Sequence, residues 1–397
     1  MRNGLNITGV SESVHEFRDN PQEAIADFSV TLPLGRAAGG PAGHLECRTR
    51  TLRTGTLRVA RDFTLRHRPF GALGKPSAGS VPVLPTAYES TLAAVAACVL
   101  VTQVNGYTAR GVNLGGLRVR ARGRLALGAD GRPQSAVPLA GLEWGCTIDC
   151  EAPTELLESV NRLVAAFSPN HQALLDTTPV LVSVHAAGPT GPSEWTRVDW
   201  APAAGAGAGA GTDHCTVEAD AVWEYGSEAV YRTSLATADQ SRSTGPWTVD
   251  QAKQMLGIDK APNSQEILLA ALCAEVAELL EVEAARCGTV LSGHLTASGR
   301  LDTRGMMNVL REVPSRFHAL TLDLAVTEGF PVAEAAELLG AALCSAVIPA
   351  TLLHPLTVDI QLCRNGDQLV ATSSSLPDTE ALRDEITRRQ QILNSNS

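Results

Sequence analysis

Aromatic residues are scarce: 7 Phe, 4 Tyr and 5 Trp make up 4% of the 397 residues. A chain of this length still has 44% hydrophobic residues, so it can bury a core, built from Ala, Val and Leu. A basic excess is also missing. Lys and Arg total 32 against 42 Asp and Glu, a net charge of −10, whereas a general nucleic-acid binder needs a basic face. No run reaches the roughly 18 uninterrupted apolar residues of a membrane span. The opening MRNGLNITGVSESVHEF has no apolar segment of signal-peptide type. These absences predict a cytoplasmic protein with neither nucleic-acid nor membrane partners.

The nine cysteines are scattered and odd in number, which in a reducing compartment predicts free thiols used as small hydrophobes. Cys146 and Cys150 alternate with polar neighbours in WGCTIDCE, placing both with Ile148 on one strand face. No second pair stands at zinc-site spacing, so no metal and no cofactor is expected.

What is present is a repeat. PTAYESTLAAVAACVLVTQVNGYTARGV and APNSQEILLAALCAEVAELLEVEAARCGT align with Glu89 on Glu266 and Gly111 on Gly288. RARGRLAL then falls on TASGRLDT, and Val137-Pro138 on Val313-Pro314. Further on, Ser168 falls on Cys344 and Pro179 on Pro355, each proline leading a strand-like run, VLVSVHA or LTVDIQL. The order long helix, two strands, helix, strand thus recurs over residues 85–190 and 262–363. Both long helices are apolar almost all round, which predicts burial on several sides, against a sheet and against the other copy. Alternating segments precede each helix: ADFSVTLPL, HLECRTRTL and LRVARDFTLRHRP before the first, CTVEADAVWEYG and EAVYRTSLATA before the second. The expected organisation is a first α+β domain over 1–200, an Ala/Gly linker over 201–212, a second domain over 213–376, and a charged surface helix and tail over 377–397. Each domain is expected to hold an antiparallel sheet and a long buried central helix.

The segments ESTLAAVAAC and PNSQEILLAAL, each opening a buried helix, resemble the OsmC/Ohr family of thiol-dependent hydroperoxide reductases. The family pattern has a cysteine nine residues after the helix-start glutamate. A second cysteine stands near the end of the next helix, before a Pro-led strand. The resemblance covers both copies. It implies an intertwined arrangement with central helices packed together, here a homodimer made covalent as an internal pseudo-dimer. A further homo-oligomer is left open. It also implies peroxide chemistry by two thiols, one attacking as thiolate and one resolving the sulfenic acid as a disulfide.

The residues at those positions depart from the pattern. The first copy has Cys98 at the attacking position and Ser168 at the resolving one; the second has Glu275 and Cys344. Cys273 is two residues short of the attacking position, a rotation of roughly 200°. Cys98 reads either as a nucleophile or as a small core residue. Glu275 interrupts an apolar run; it is either a buried acid–base group or part of an exposed acidic stripe with Glu278, Glu281 and Glu283. His171 could lower the Cys98 pKa or be a loop histidine. Cys98, Glu275, His171 and Cys344 are the catalytic candidates. Tyr88, Glu89, Ser168 and Glu266 are the substrate-binding candidates, with Glu89 and Glu266 also suited to a helix N-terminus. The resemblance calls for an early arginine, for which Arg36, Arg66 and Arg68 all qualify. Three functions follow: an enzyme acting on a small hydrophobic organic substrate by Cys/Glu chemistry, of the kind found in specialised metabolism; a one-cysteine hydroperoxide reductase; or a non-catalytic binding protein.

Overall fold

Each long helix begins where its sequence supplies a reciprocal cap. Thr86 receives the Glu89 N–H while the Glu89 carboxylate receives the Thr86 N–H, and Asn263 and Glu266 do the same. The helices end before Gly111 and Gly288, both at positive φ. In the computed structural model they span Ala87–Ala109 and Ser264–Arg286. The structure describes residues 1–35, 43–73, 83–188, 191–192, 195–202, 213–238, 240–310, 312–327 and 329–395. The AAGAGAGAGT run and Arg36 lie outside them.

In chain order the elements are α1 (Ile7–Asp19), β1 (Ile25–Leu34), β2 (Leu45–Thr49), β3 (Thr51–Thr54), β4 (Leu57–Ala60), β5 (Thr64–His67), α2 (Ala87–Ala109), β6 (Gly116–Ala126), β7 (Ala140–Asp149), α3 (Thr154–Phe167), α4 (Pro169–Leu175), β8 (Val180–Gly188), β9 (Gly191–Pro192) and β10 (Thr196–Arg197). The second half continues with β11 (His214–Tyr225), β12 (Glu228–Ala236), β13 (Ser241–Val249), α5 (Ser264–Arg286), β14 (Gly293–Asp302), α6 (Thr303–Met306), β15 (Ala319–Val326), α7 (Val332–Ser345), α8 (Val347–Leu353), β16 (Val358–Arg364), β17 (Asp367–Ser374) and α9 (Leu376–Ser395). The recurrent order of helix, two strands, helix and strand is present in both halves.

The chain is mixed α+β with two sheets, and neither sheet belongs to one half. One runs β10-β8-β15-β14-β1-β2-β5, with β3 beside β1, β4 beside β3 and β9 beside β8. The other runs β13-β12-β11-β6-β7-β16-β17. β1 pairs with β14 over its whole length, from Ile25 opposite Asp302 to Leu34 opposite Gly293. β11 pairs with β6 from His214 opposite Ala126 to Val222 opposite Arg118. Each half therefore lends its first strands to the other half's central hairpin. The expected purely antiparallel sheets need correcting: β8 runs parallel to β15, and β16 parallel to β7. β8 and β16 each dock on a strand of the opposite half, so no local crossover dictates their direction.

Between the sheets lie α2 and α5, packed on one another and on β11 and β1 respectively. Among the described residues one single helix, α2, is long and apolar enough to cross a membrane, and 78% of its most apolar window is buried inside the fold. Small residues let the layers close. A methyl on Gly299 would sit 2.6 Å from the Phe317 ring, which packs edge-on against Phe28. The charged C-terminal stretch is helical, as its pattern predicts; Arg383 holds it by donating to the Ala166 carbonyl, 2.8 Å away.

Candidate functional site

The copies superpose in register only in part. Val119 faces Cys146 across one hairpin and Leu295 faces Leu324 across the other. The equivalent residues are thus 176 apart on the first strand and 178 apart on the second. The extra two residues fall in the connection between those strands. They overturn one expectation: the counterpart of Ser168, at the corner between α3 and α4, is Ala346 between α7 and α8. Cys344 lies two residues earlier, in the last turn of α7, so it does not occupy the resolving position.

Cys98 and Glu275 do occupy equivalent places. The Cys98 thiol, 3% exposed, meets the α3–α4 corner. Ser168 Oγ donates to it at 3.4 Å, and the Asn170 N–H and the Gln265 amide each donate at 3.5 Å. Gln265 comes from α5, so both halves build the site. Burial pushes the thiol pKa up, and these donors oppose the rise. Glu275, 2% exposed, meets the α7–α8 corner. The N–H groups of Val347 and Ile348 donate to its two oxygens at 2.7 and 2.8 Å. Tyr88, from α2, completes the set with its hydroxyl. Ile348 matches Asn170, and Tyr88 matches Gln265. Burial raises the Glu275 pKa to about 7, against the pull of its three donors. The exposed-stripe alternative therefore fails at Glu275 and holds at Glu281, which is exposed. Cys273 turns away as its spacing predicts, packing against the carbonyls of Val30 and Leu295 at 3.8 Å.

A cavity of about 330 Å³ opens on Glu275 and Tyr88. Its wall carries Asp130, Arg132, Glu278, Glu283 and Arg286. Glu278 accepts the N–H groups of Phe70 and Gly71, both at 2.8 Å; burial raises its pKa and the Arg132 charge opposes this.

His171 is not brought to Cys98. Its Nδ1 accepts from Trp144 Nε1 at 3.2 Å and its Nε2 lies 3.4 Å from Ser374 Oγ. With both nitrogens engaged and burial lowering its pKa to about 3, the ring cannot act as base toward the thiol. Among the arginines expected at the site, Arg66 pairs with Glu46 at the surface and Arg68 donates to the Ala72 carbonyl. The arginines that reach the helix-start glutamates are others. Arg61 from the first half chelates Glu266 of the second, at 2.9 and 2.7 Å. Arg242 from the second half pairs with Glu89 of the first. Glu89 and Glu266 are thus locked in caps and ion pairs, away from the substrate-binding role expected of them. The signal that could have found the arginines is reciprocity: each glutamate recurs, so each needs a cation from the exchanged strands.

All nine cysteines are unpaired. Because Cys344 belongs to the Glu275 side of the interface, peroxide-treated protein yields no stoichiometric Cys98–Cys344 disulfide in peptide mass mapping. Iodoacetamide modifies exposed Cys287 before Cys98. A Cys98–Cys344 cross-link would overturn this placement.

No family model matches the chain, and no curated protein matches it at a significant level.

Proposed function

We propose that this chain is a diverged OsmC-like pseudo-dimer that works as an acid–base enzyme on a small organic substrate, with Glu275 as the proton-transfer group. One observation carries the reading. A carboxyl with a pKa near 7 lines a cavity, at the place where the first copy has the resembled family's attacking thiol. A pKa near the working pH is what a general base or acid needs. An ionised carboxylate has about four acceptor positions; two N–H groups and the Tyr88 hydroxyl use three. Tyr88 can donate to the carboxylate or to charge that develops on a substrate. The charged wall favours a polar substrate over the hydrophobic one the sequence suggests.

The second reading is a one-cysteine hydroperoxide reductase, favoured by the three donors converging on Cys98. Against it stand the raised thiol pKa and the engagement of His171 elsewhere. A scaffold without catalysis leaves a costly buried carboxylate without a use.

A proton-abstraction probe separates these. 5-Nitrobenzisoxazole loses one carbon-bound proton to a base as its N–O bond breaks, giving a coloured cyanophenolate. Wild type, Glu275→Gln and Cys98→Ser are assayed with it, and in parallel with tert-butyl hydroperoxide plus dithiothreitol. The proposal expects probe turnover that needs Glu275 and ignores Cys98. Peroxide turnover that needs Cys98 and ignores Glu275 would establish the reductase, and no turnover of either would favour the scaffold.

A further inference from the structure

The loops that end the two long helices are built alike and filled differently. After α2 the Gly111 N–H donates to the Thr108 carbonyl at 3.1 Å, and the Val112 N–H to the Tyr107 carbonyl at 3.0 Å. After α5, 177 residues on, Gly288 donates to Ala285 at 3.1 Å and Thr289 to Ala284 at 2.9 Å. Both glycines hold positive φ, +80° and +70°. Each helix end faces the end of the strand lent by the other half, β11 for α2 and β1 for α5.

Beside α2 that corner is occupied by residues 2–5, Arg-Asn-Gly-Leu. The Asn3 amide donates to Thr108 Oγ1 and to the Val112 carbonyl, both at 2.9 Å, and accepts the Leu114 N–H at 3.0 Å. The Asn3 carbonyl accepts the Gly226 N–H at the β11–β12 turn, 3.0 Å away. Gly4, at φ +80°, leaves no room for a side chain against Gly226. Leu5 is buried in the core, and Arg2 lies over Gly111.

Beside α5 the same corner is a groove of about 270 Å³, lined by Leu34, Leu280, Glu281, Ala284, Thr289 and Leu291 among others. The space over Gly288, where Arg2 stands over Gly111, is open. The Thr289 carbonyl and Leu291 N–H match the Val112 and Leu114 groups that grip Asn3, and among the described residues they have no partner. Ala284 replaces Tyr107, which deepens the groove, and Glu281 replaces Val104, which gives it a negative charge. The chain's own Arg-Asn-Gly-Leu is already seated beside α2, and its other Arg-Asn-Gly run, residues 364–366, closes the β16–β17 turn.

We infer that this groove docks an extended segment of a partner protein with the order basic residue, asparagine, glycine, leucine. The asparagine amide bridges the Thr289 carbonyl and the Leu291 N–H. The leucine enters between Leu34, Leu280 and Ala284, and Glu281 answers the basic residue. The inference does not rest on the role of Glu275. The probe is the peptide MRNGLN with rhodamine on its amino end, since Met1 is 81% exposed, beside MRAGLN with the same label. Fluorescence anisotropy is expected to show saturable binding of MRNGLN to wild type and binding of MRAGLN weaker by about tenfold. Ala285→Thr supplies the hydroxyl that Thr108 offers Asn3, and tightens MRNGLN alone by roughly two- to tenfold. Ala285→Trp, at an exposed position, blocks the groove and weakens MRNGLN by about tenfold or more. Thermal melts confirm folding, and Ala285→Thr decides the matter if Ala285→Trp melts early. No saturable binding by wild type, or equal binding of the two peptides, would overturn the inference. So would unchanged binding to folded Ala285→Trp, which would place the peptide in the α2 corner. Light scattering is expected to show wild type monomeric; self-association that Ala285→Trp abolishes would make the occupant a second copy and overturn the choice of partner.

Discussion

Arg61→Met lowers the unfolding free energy by about 3–5 kcal/mol, whereas Arg300→Met changes it by about 1 kcal/mol or less. The contrast lies in what each substitution leaves behind. The Arg61 side chain is fully buried, and so is that of its partner Glu266. Arg61 also reaches Asp259 and the Ala261 carbonyl and lies over the Phe63 ring. Methionine keeps much of the volume but strands a buried carboxylate left with the Asn263 N–H as its donor among the described residues. Arg300 pairs with Asp27 on a solvated sheet face, where water replaces the lost partner. Urea titration of the two variants measures the difference. Equal, small losses would show that the Arg61–Glu266 pair is solvated in the folded protein.

The second large effect is on Glu275. Glu275→Gln is expected to slow proton transfer by roughly 10²–10⁴-fold, the usual contribution of a positioned acid or base. It also changes how stability depends on pH. Burial raises the Glu275 pKa from 4.5 to about 7. Between those values the folded state holds a proton that the unfolded state has released, so stability falls as pH rises. The loss is on the order of 3 kcal/mol, complete above the folded pKa and absent below the unfolded one. Glu278, Tyr88 and Arg132 share the cavity, and Glu278 has a raised pKa of its own, so some slope persists in the variant. His67 and His171, depressed to about 4 and 3 by burial, act oppositely, stabilising above pH 6.5 and losing that contribution as pH falls. Subtracting the variant's urea stability from that of wild type at pH 5 and pH 8 isolates Glu275. Glutamine leaves one corner N–H facing an amide N–H₂, a penalty that offsets the difference equally at both pH values. Parallel curves would mean that Glu275 is ionised at both pH values.

The helices were readable because their information is local. Thr86 with Glu89, and Asn263 with Glu266, write the caps in four residues, and apolar runs follow at once. The residue pattern did not name the strand exchange; an intertwined arrangement was expected only from the family resemblance. The alternation of Thr216 to Val222 is the same whether the strand pairs with its own half or the other, since a period of two names a face and not a partner. SRSTGPWTV, which forms β13, carries a Gly-Pro step that reads as a turn. Cys98 and Glu275 were found by position within the repeat; Arg61 and Arg242 were missed because an arginine among strand residues reads as a solvated edge. The Ser168–Cys344 match failed because two inserted residues sit in a connection, where length is least constrained.

The exchange of strands also imposes an order of events on synthesis. Asp27 of β1 lies 273 residues before Arg300, the residue it pairs with. At roughly 5–20 residues per second, β1 waits on the order of tens of seconds for β14 to be made. Throughout that interval its ten-residue edge, apolar on one side, is open to any other extended chain. On crowded polysomes the first such chain within reach is another nascent copy, whose β14 would complete the same ladder between two molecules instead of within one.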